Sequence, residues 1–80
     1  MIKEFLMKRM SCTESDLTIK DNQIFLKNYR VVGGYVGDYK ILNDTLTIYP
    51  SAFLDWLRSG YTKHYRENNR LALDFNIGTQ

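Results

Sequence analysis

The chain reads as an α+β domain: a small antiparallel sheet of four to five strands with one helix packed on it. Three observations carry this. The stretches 17–26 and 39–49 each fold about a polar dipeptide so that apolar residues from both arms gather on one face. Leu71 to Ile77 alternates apolar and polar residues, the pattern of a half-buried strand. Between them, the only proline opens an apolar run that stops at a glycine, as a short helix does.

Taken in order, residues 2–10 come first. Ile2, Phe5, Leu6 and Met10 fit a helical stripe, and Glu4 with Lys8 forms a favourable i,i+4 pair. A strand here would leave large apolar groups on both faces. A short N-terminal helix is therefore preferred, one that needs packing to persist. Ser11 to Asp16 is polar and reads as loop.

Turning at Asp21-Asn22 pairs Lys20 with Gln23, Ile19 with Ile24, Thr18 with Phe25 and Leu17 with Leu26. Leu17, Ile19, Ile24 and Leu26 then share a face. Turning at Asn43-Asp44 pairs Leu42 with Thr45, Ile41 with Leu46, Lys40 with Thr47 and Tyr39 with Ile48. Here Tyr39, Ile41, Leu46 and Ile48 share a face. Lys40, Leu42, Thr45, Thr47 and Tyr49 lie on the other, a mixed set suited to solvent. The strand from Gln23 is expected to run to about Val32, where Gly33-Gly34 and Gly37 break it.

Pro50 ends the fourth strand and suits the first turn of a helix over about 50–59. Phe53, Trp56 and Leu57 lie on its inner face, which makes Trp56 a core residue, and Gly60 stops it. The final strand is 71–77. Residues 61–66 fit a strand turning at Glu67-Asn68-Asn69, a loop, or further helix.

Eighty residues make one domain, 1–80, of 44% hydrophobic and 25% charged composition; 14% aromatic is too much apolar surface for a disordered chain. One cysteine, Cys12, allows no internal disulfide and favours a reducing compartment. The first dozen residues carry charge where a signal peptide needs an apolar run, and no stretch approaches a membrane span. The expectation is a cytoplasmic protein without membrane association. Asn, Ile, Lys and Tyr, with their AT-rich codons, point to a low-GC source such as a phage or other mobile element.

No catalytic motif emerges. One His and one Cys cannot build a structural zinc site, and no carboxylates cluster at loop spacing, so neither a metal nor a cofactor is expected. Gly33 to Gly37 lacks the lysine and hydroxyl of a phosphate-binding loop. A small enzyme or ligand-binding domain built on Cys12 or His64 is the weakest functional reading.

The net charge of +2 hides a local concentration: 58–70 carries Arg58, Lys63, Arg66 and Arg70 against Glu67, with His64 besides. Arg58, Tyr61, Lys63, His64, Tyr65, Arg66 and Arg70 alternate flat rings and cations. Tyr29, Arg30, Tyr35 and Tyr39 could extend the surface. Such residues anchor protein contacts and also stack on bases and neutralise phosphates. The bland alternative is that Tyr61 and Tyr65 cap the core while the cations are solvated. The function expected is a non-enzymatic protein-binding module: an inhibitor, adaptor or accessory protein. Nucleic-acid binding through 58–70 stands second. A homodimer formed through an exposed edge strand, 71–77, is a further expectation.

Overall fold

The structure, a computed structural model, describes residues 2–27, 29, 32–51 and 60–78. Among these are one helix, α1 (Ile2–Met10), and six strands: β1 (Leu17–Lys20), β2 (Gln23–Leu26), β3 (Tyr35–Leu42), β4 (Thr45–Pro50), β5 (Lys63–Glu67) and β6 (Arg70–Asn76). All pairings are antiparallel, in the order β1-β2-β3-β4-β6-β5. The expected α+β class with an antiparallel sheet is present. The strand count rises to six, because 61–66 supplies β5 rather than loop or helix.

Local chemistry accounts for each element. Glu4 in the first turn of α1 and Lys8 and Arg9 in the last complement the helix dipole. Ser11 adopts φ 55° and the Cys12 N–H reaches back to the Met7 carbonyl at 3.2 Å, a Schellman closure. Asp21-Asn22 and Asn68-Asn69 place both turn residues at positive φ, the type I′ pattern that Asn and Asp tolerate. Both expected hairpins form in the expected register, residue for residue.

The strand from Gln23 ends at Leu26, not near Val32. Its pairing with β3 shifts between Ile24 and Phe25, and the chain then leaves the sheet to make a 3₁₀ turn at Val32–Gly34. Gly34, at φ 75°, lies so close over the Leu26 carbonyl that a β-carbon would collide with it. Gly37 meets the Tyr49 carbonyl in the same way, so β3 and β4 approach closely at this end. The expected helix over 50–59, with Trp56, falls on 52–59, outside the described residues; Pro50 closes β4.

The core lies between α1 and one face of the sheet, here called the inner face. Leu6, Leu17, Ile24, Val36, Leu46, Ile48, Leu73 and Phe75 form it, each almost wholly buried. The Phe5 ring meets Phe75 edge-on at 5.6 Å, and the Arg9 guanidinium covers both rings at 5.6 and 5.2 Å. Ile41, on the same face at the far hairpin tip, remains 45% exposed although Leu46 opposite it is wholly buried.

Candidate partner-binding face

The opposite, outer face of the sheet is where the polar chemistry collects. Cross-strand register dictates its membership. Asp38 is opposite Tyr49 and Lys40 opposite Thr47. Thr47 is opposite Asp74, which pairs with Lys63. Tyr65 is opposite Ala72, and Glu67 opposite Arg70. Alternation puts all of these on one side. Tyr35 joins them, its ring 5.7 Å from that of Phe25.

These side chains bond to one another. The Tyr35 hydroxyl donates to Asp38. Asp38 also receives the Arg70 guanidinium at 3.0 Å, and Arg70 lies over the Tyr49 ring at 4.2 Å. The Tyr49 hydroxyl donates to Glu67 at 2.8 Å, and Glu67 pairs with Lys40 at 3.6 Å. Asp74 accepts from the Thr47 hydroxyl at 2.7 Å and from Tyr65 at 3.1 Å. Lys63 sits 5.0 Å from the centre of the Tyr65 ring. Tyr35, Tyr49 and Tyr65 are thus each anchored to a carboxylate, while cations lie against Tyr49 and Tyr65.

This arrangement corrects the expectation that Thr47 and Tyr49 face solvent. Both are buried, at 4% and 7% exposure. Tyr49 lies in the middle of the sheet, where Arg70 from β6 roofs its ring. Beyond the network, Leu42 extends the same face and is 68% exposed.

The network perturbs its members. Burial, then the bond to Asp38, pushes the Tyr35 phenol up to about 12. The Tyr35 hydrogen bond, aided by Arg70, holds the Asp38 carboxyl below its ordinary value. Burial and Asp74 raise Tyr65; Tyr49, then Glu67, raise Lys40.

The residues singled out in the sequence do not form one surface. Lys63, Tyr65 and Arg70 belong to the outer face. His64 and Arg66 alternate to the inner side of β5, opposite Leu73 and Leu71, and are exposed. Arg66 bonds the Asn69 carbonyl at 3.2 Å. Tyr61 packs against the core and meets the His64 ring edge-on at 5.4 Å. Of the extension, Tyr35 joins the outer face, whereas Tyr29 and Tyr39 pack against the core. Arg58 and Arg30 lie outside the described residues.

Asp38, Lys40, Thr47, Tyr49, Glu67 and Asp74 were not singled out. Their signal was present in part: the hairpin register already grouped Lys40, Thr47 and Tyr49. The β4–β6 pairing, between strands distant in sequence, brings Asp74 beside Thr47, and the β5–β6 hairpin carries Glu67. Among the described residues no group of His, Cys, Asp and Glu is placed to hold a metal ion, and no helix is long and apolar enough to cross a membrane. Cys12 is half-buried at the end of α1, and burial, then Asp16, raises its thiol, which disfavours the nucleophilic thiolate.

No family model matches the chain, and no curated protein or solved structure does.

Proposed function

We propose that the chain is a non-enzymatic protein-binding module, an inhibitor, adaptor or accessory protein of the cytoplasm, that docks on a partner protein through the outer face of its sheet. The observation that carries this reading is the outer network. Its tyrosines are held by carboxylates before any partner arrives, so little rotamer freedom remains to be lost on binding. Tyr and Arg, with Trp, are enriched at the energetic centres of protein interfaces. Leu42 adds an exposed apolar contact at the margin.

Charge selects the kind of partner. Over β3 to β6 the described outer face carries Asp38, Glu67 and Asp74 against Lys40, Lys63 and Arg70. That balance suits a protein surface of mixed polarity. It disfavours a phosphate backbone, which needs uncompensated cations and would be repelled by the carboxylates.

The test is affinity capture from the native host with four proteins: wild type, Leu42→Asp, Arg70→Ala and Glu14→Lys. Glu14 is an exposed residue of the segment between α1 and β1. A discrete protein retained by wild type and Glu14→Lys and lost with the two outer-face variants, each still folded by circular dichroism, supports the reading. Capture indifferent to Leu42 and Arg70 overturns it. So does tight oligonucleotide binding at low salt that falls steeply as salt rises, which would favour a nucleic-acid function instead.

A further inference from the structure

We propose that β5 is a homodimerisation edge: two copies of the chain pair their β5 strands antiparallel about a two-fold axis at Tyr65. Among the described residues, the sheet order leaves β1 and β5 at the edges and places β6 inside, between β4 and β5. The expectation that 71–77 is the exposed edge is thereby replaced.

Backbone phase shows what β5 offers. The Ile77 N–H donates to the Asp44 carbonyl at 2.8 Å. Alternation along β6 then turns Phe75 and Leu73 toward β4, and Asp74, Ala72 and Arg70 toward β5. Their partners are Lys63, Tyr65 and Glu67. The N–H and C=O groups of His64 and Arg66 therefore face the open side. A second β5 placed by the two-fold sets His64 opposite Arg66 of the second copy as a reciprocal hydrogen-bonded pair. Tyr65 then meets its own counterpart at the closer, non-hydrogen-bonded spacing.

The same register is complementary in charge. Lys63 falls opposite Glu67 of the second copy, and Glu67 opposite its Lys63, all on the outer face. Lys63, His64 and Arg66 are exposed, and Glu67 is partly so. His64 and Arg66 lie on the other side of the strand and keep their access to water. The strand KHYRE is thus self-complementary under the one symmetry operation that commonly builds dimers.

The other edge is a poorer candidate. β1 has four residues, and a two-fold at Thr18 would set Lys20 against Asp16 of the second copy. Asp16 lies in the short 3₁₀ turn before β1, outside the strand, so the charge pairs of this edge fall beyond its regular pairing. Pairing through β5 would also join two outer faces into one continuous platform, though it does not depend on the docking role.

Sedimentation equilibrium of the full chain over a wide concentration range tests the proposal. Wild type should dimerise reversibly and weakly, as expected for a short strand edge. Lys63→Glu or Glu67→Lys alone sets like charges opposite each other at both ends and should weaken the dimer about tenfold or more. Mixing these two variants regenerates opposite charges at both ends, so the mixture should form a heterodimer that neither makes alone. Lys20→Glu should leave association unchanged. Far-ultraviolet circular dichroism and melting confirm that each variant is folded. Strictly monomeric wild type, a dimer indifferent to Lys63 and Glu67, weakening by Lys20→Glu, or folded variants that fail to associate on mixing would each overturn it. None of these outcomes bears on docking through Leu42 and Arg70.

Discussion

Arg70→Ala probes the outer network at the residue that joins Asp38 to Tyr49. The Arg70–Asp38 pair is at 3.0 Å with side chains 50% and 34% exposed. At that exposure solvent screening limits its contribution to about 0.5–1 kcal/mol. The guanidinium over Tyr49 at 4.2 Å contributes about 0.5–1 kcal/mol more as a cation–π contact. Uncovering part of a ring now only 7% exposed adds roughly 0.5 kcal/mol at about 25 cal/mol per Å². We therefore expect Arg70→Ala to destabilise the fold by about 1.5–2.5 kcal/mol, or roughly 6–20 °C in melting temperature for a domain of this size.

Urea unfolding at 25 °C gives the free energy. A double-mutant cycle with Asp38→Asn should return a coupling of about 0.5–1 kcal/mol, while the stack on Tyr49 survives in the Asp38 variant. Arg70→Lys should recover only part of the loss, since an ammonium lacks the flat guanidinium plane. Added salt should weaken the Asp38 coupling more than the stack. An Arg70→Ala protein within about 0.5 kcal/mol of wild type, the range expected for an unimportant surface site, would refute the network as described.

The remaining predictions address titration, the helix and a turn. Of the six tyrosines, Tyr35 should ionise late in a spectrophotometric titration. Its folded value, about 12, lies above the ordinary phenol value of 10.0, so its contribution to stability is full below pH 10 and is lost as pH rises toward 12. Tyr35→Phe should flatten the fall in melting temperature over that window. Asp38 has the opposite sign: its lowered folded value contributes stability above the ordinary carboxylate range, lost as pH falls through the folded value. Leu6→Ala empties the main contact of α1 with the sheet and should cost about 2–5 kcal/mol by urea unfolding, with helical ellipticity falling as well. Asn69→Gly, at φ 64°, should instead stabilise the β5–β6 hairpin by about 0.5–1 kcal/mol; a loss of stability would contradict the type I′ turn.

Much of the fold was legible because its hairpins are local. Around Asp21-Asn22 and Asn43-Asp44, turn chemistry and apolar alternation act within ten residues or so, and each constrains the other. The same logic yields α1, whose stripe and charges fall within three turns. The alternation of 71–77 also marked a strand correctly, although not its place in the sheet. Legibility failed where residues distant in sequence decide the outcome. Nothing near Gln23 announces the bulge that ends β2, because Gly34 must first settle on the Leu26 carbonyl.

The basic and aromatic run at 58–70 shows the division most clearly. Composition determined that cations and rings would be concentrated there, and that Arg70 and Tyr65 would be prominent among them. Strand period then divided the run, sending Lys63 and Tyr65 to one side and His64 and Arg66 to the other. Which side has partners depends on β6 inserting between β4 and β5. That long-range pairing brings Asp38 and Tyr49 beside Arg70 and Thr47 beside Asp74, and it turns an apparently basic segment into part of a charge-balanced face. Side-chain identity is written residue by residue, but neutralisation and burial belong to neighbours that only the assembled sheet brings together.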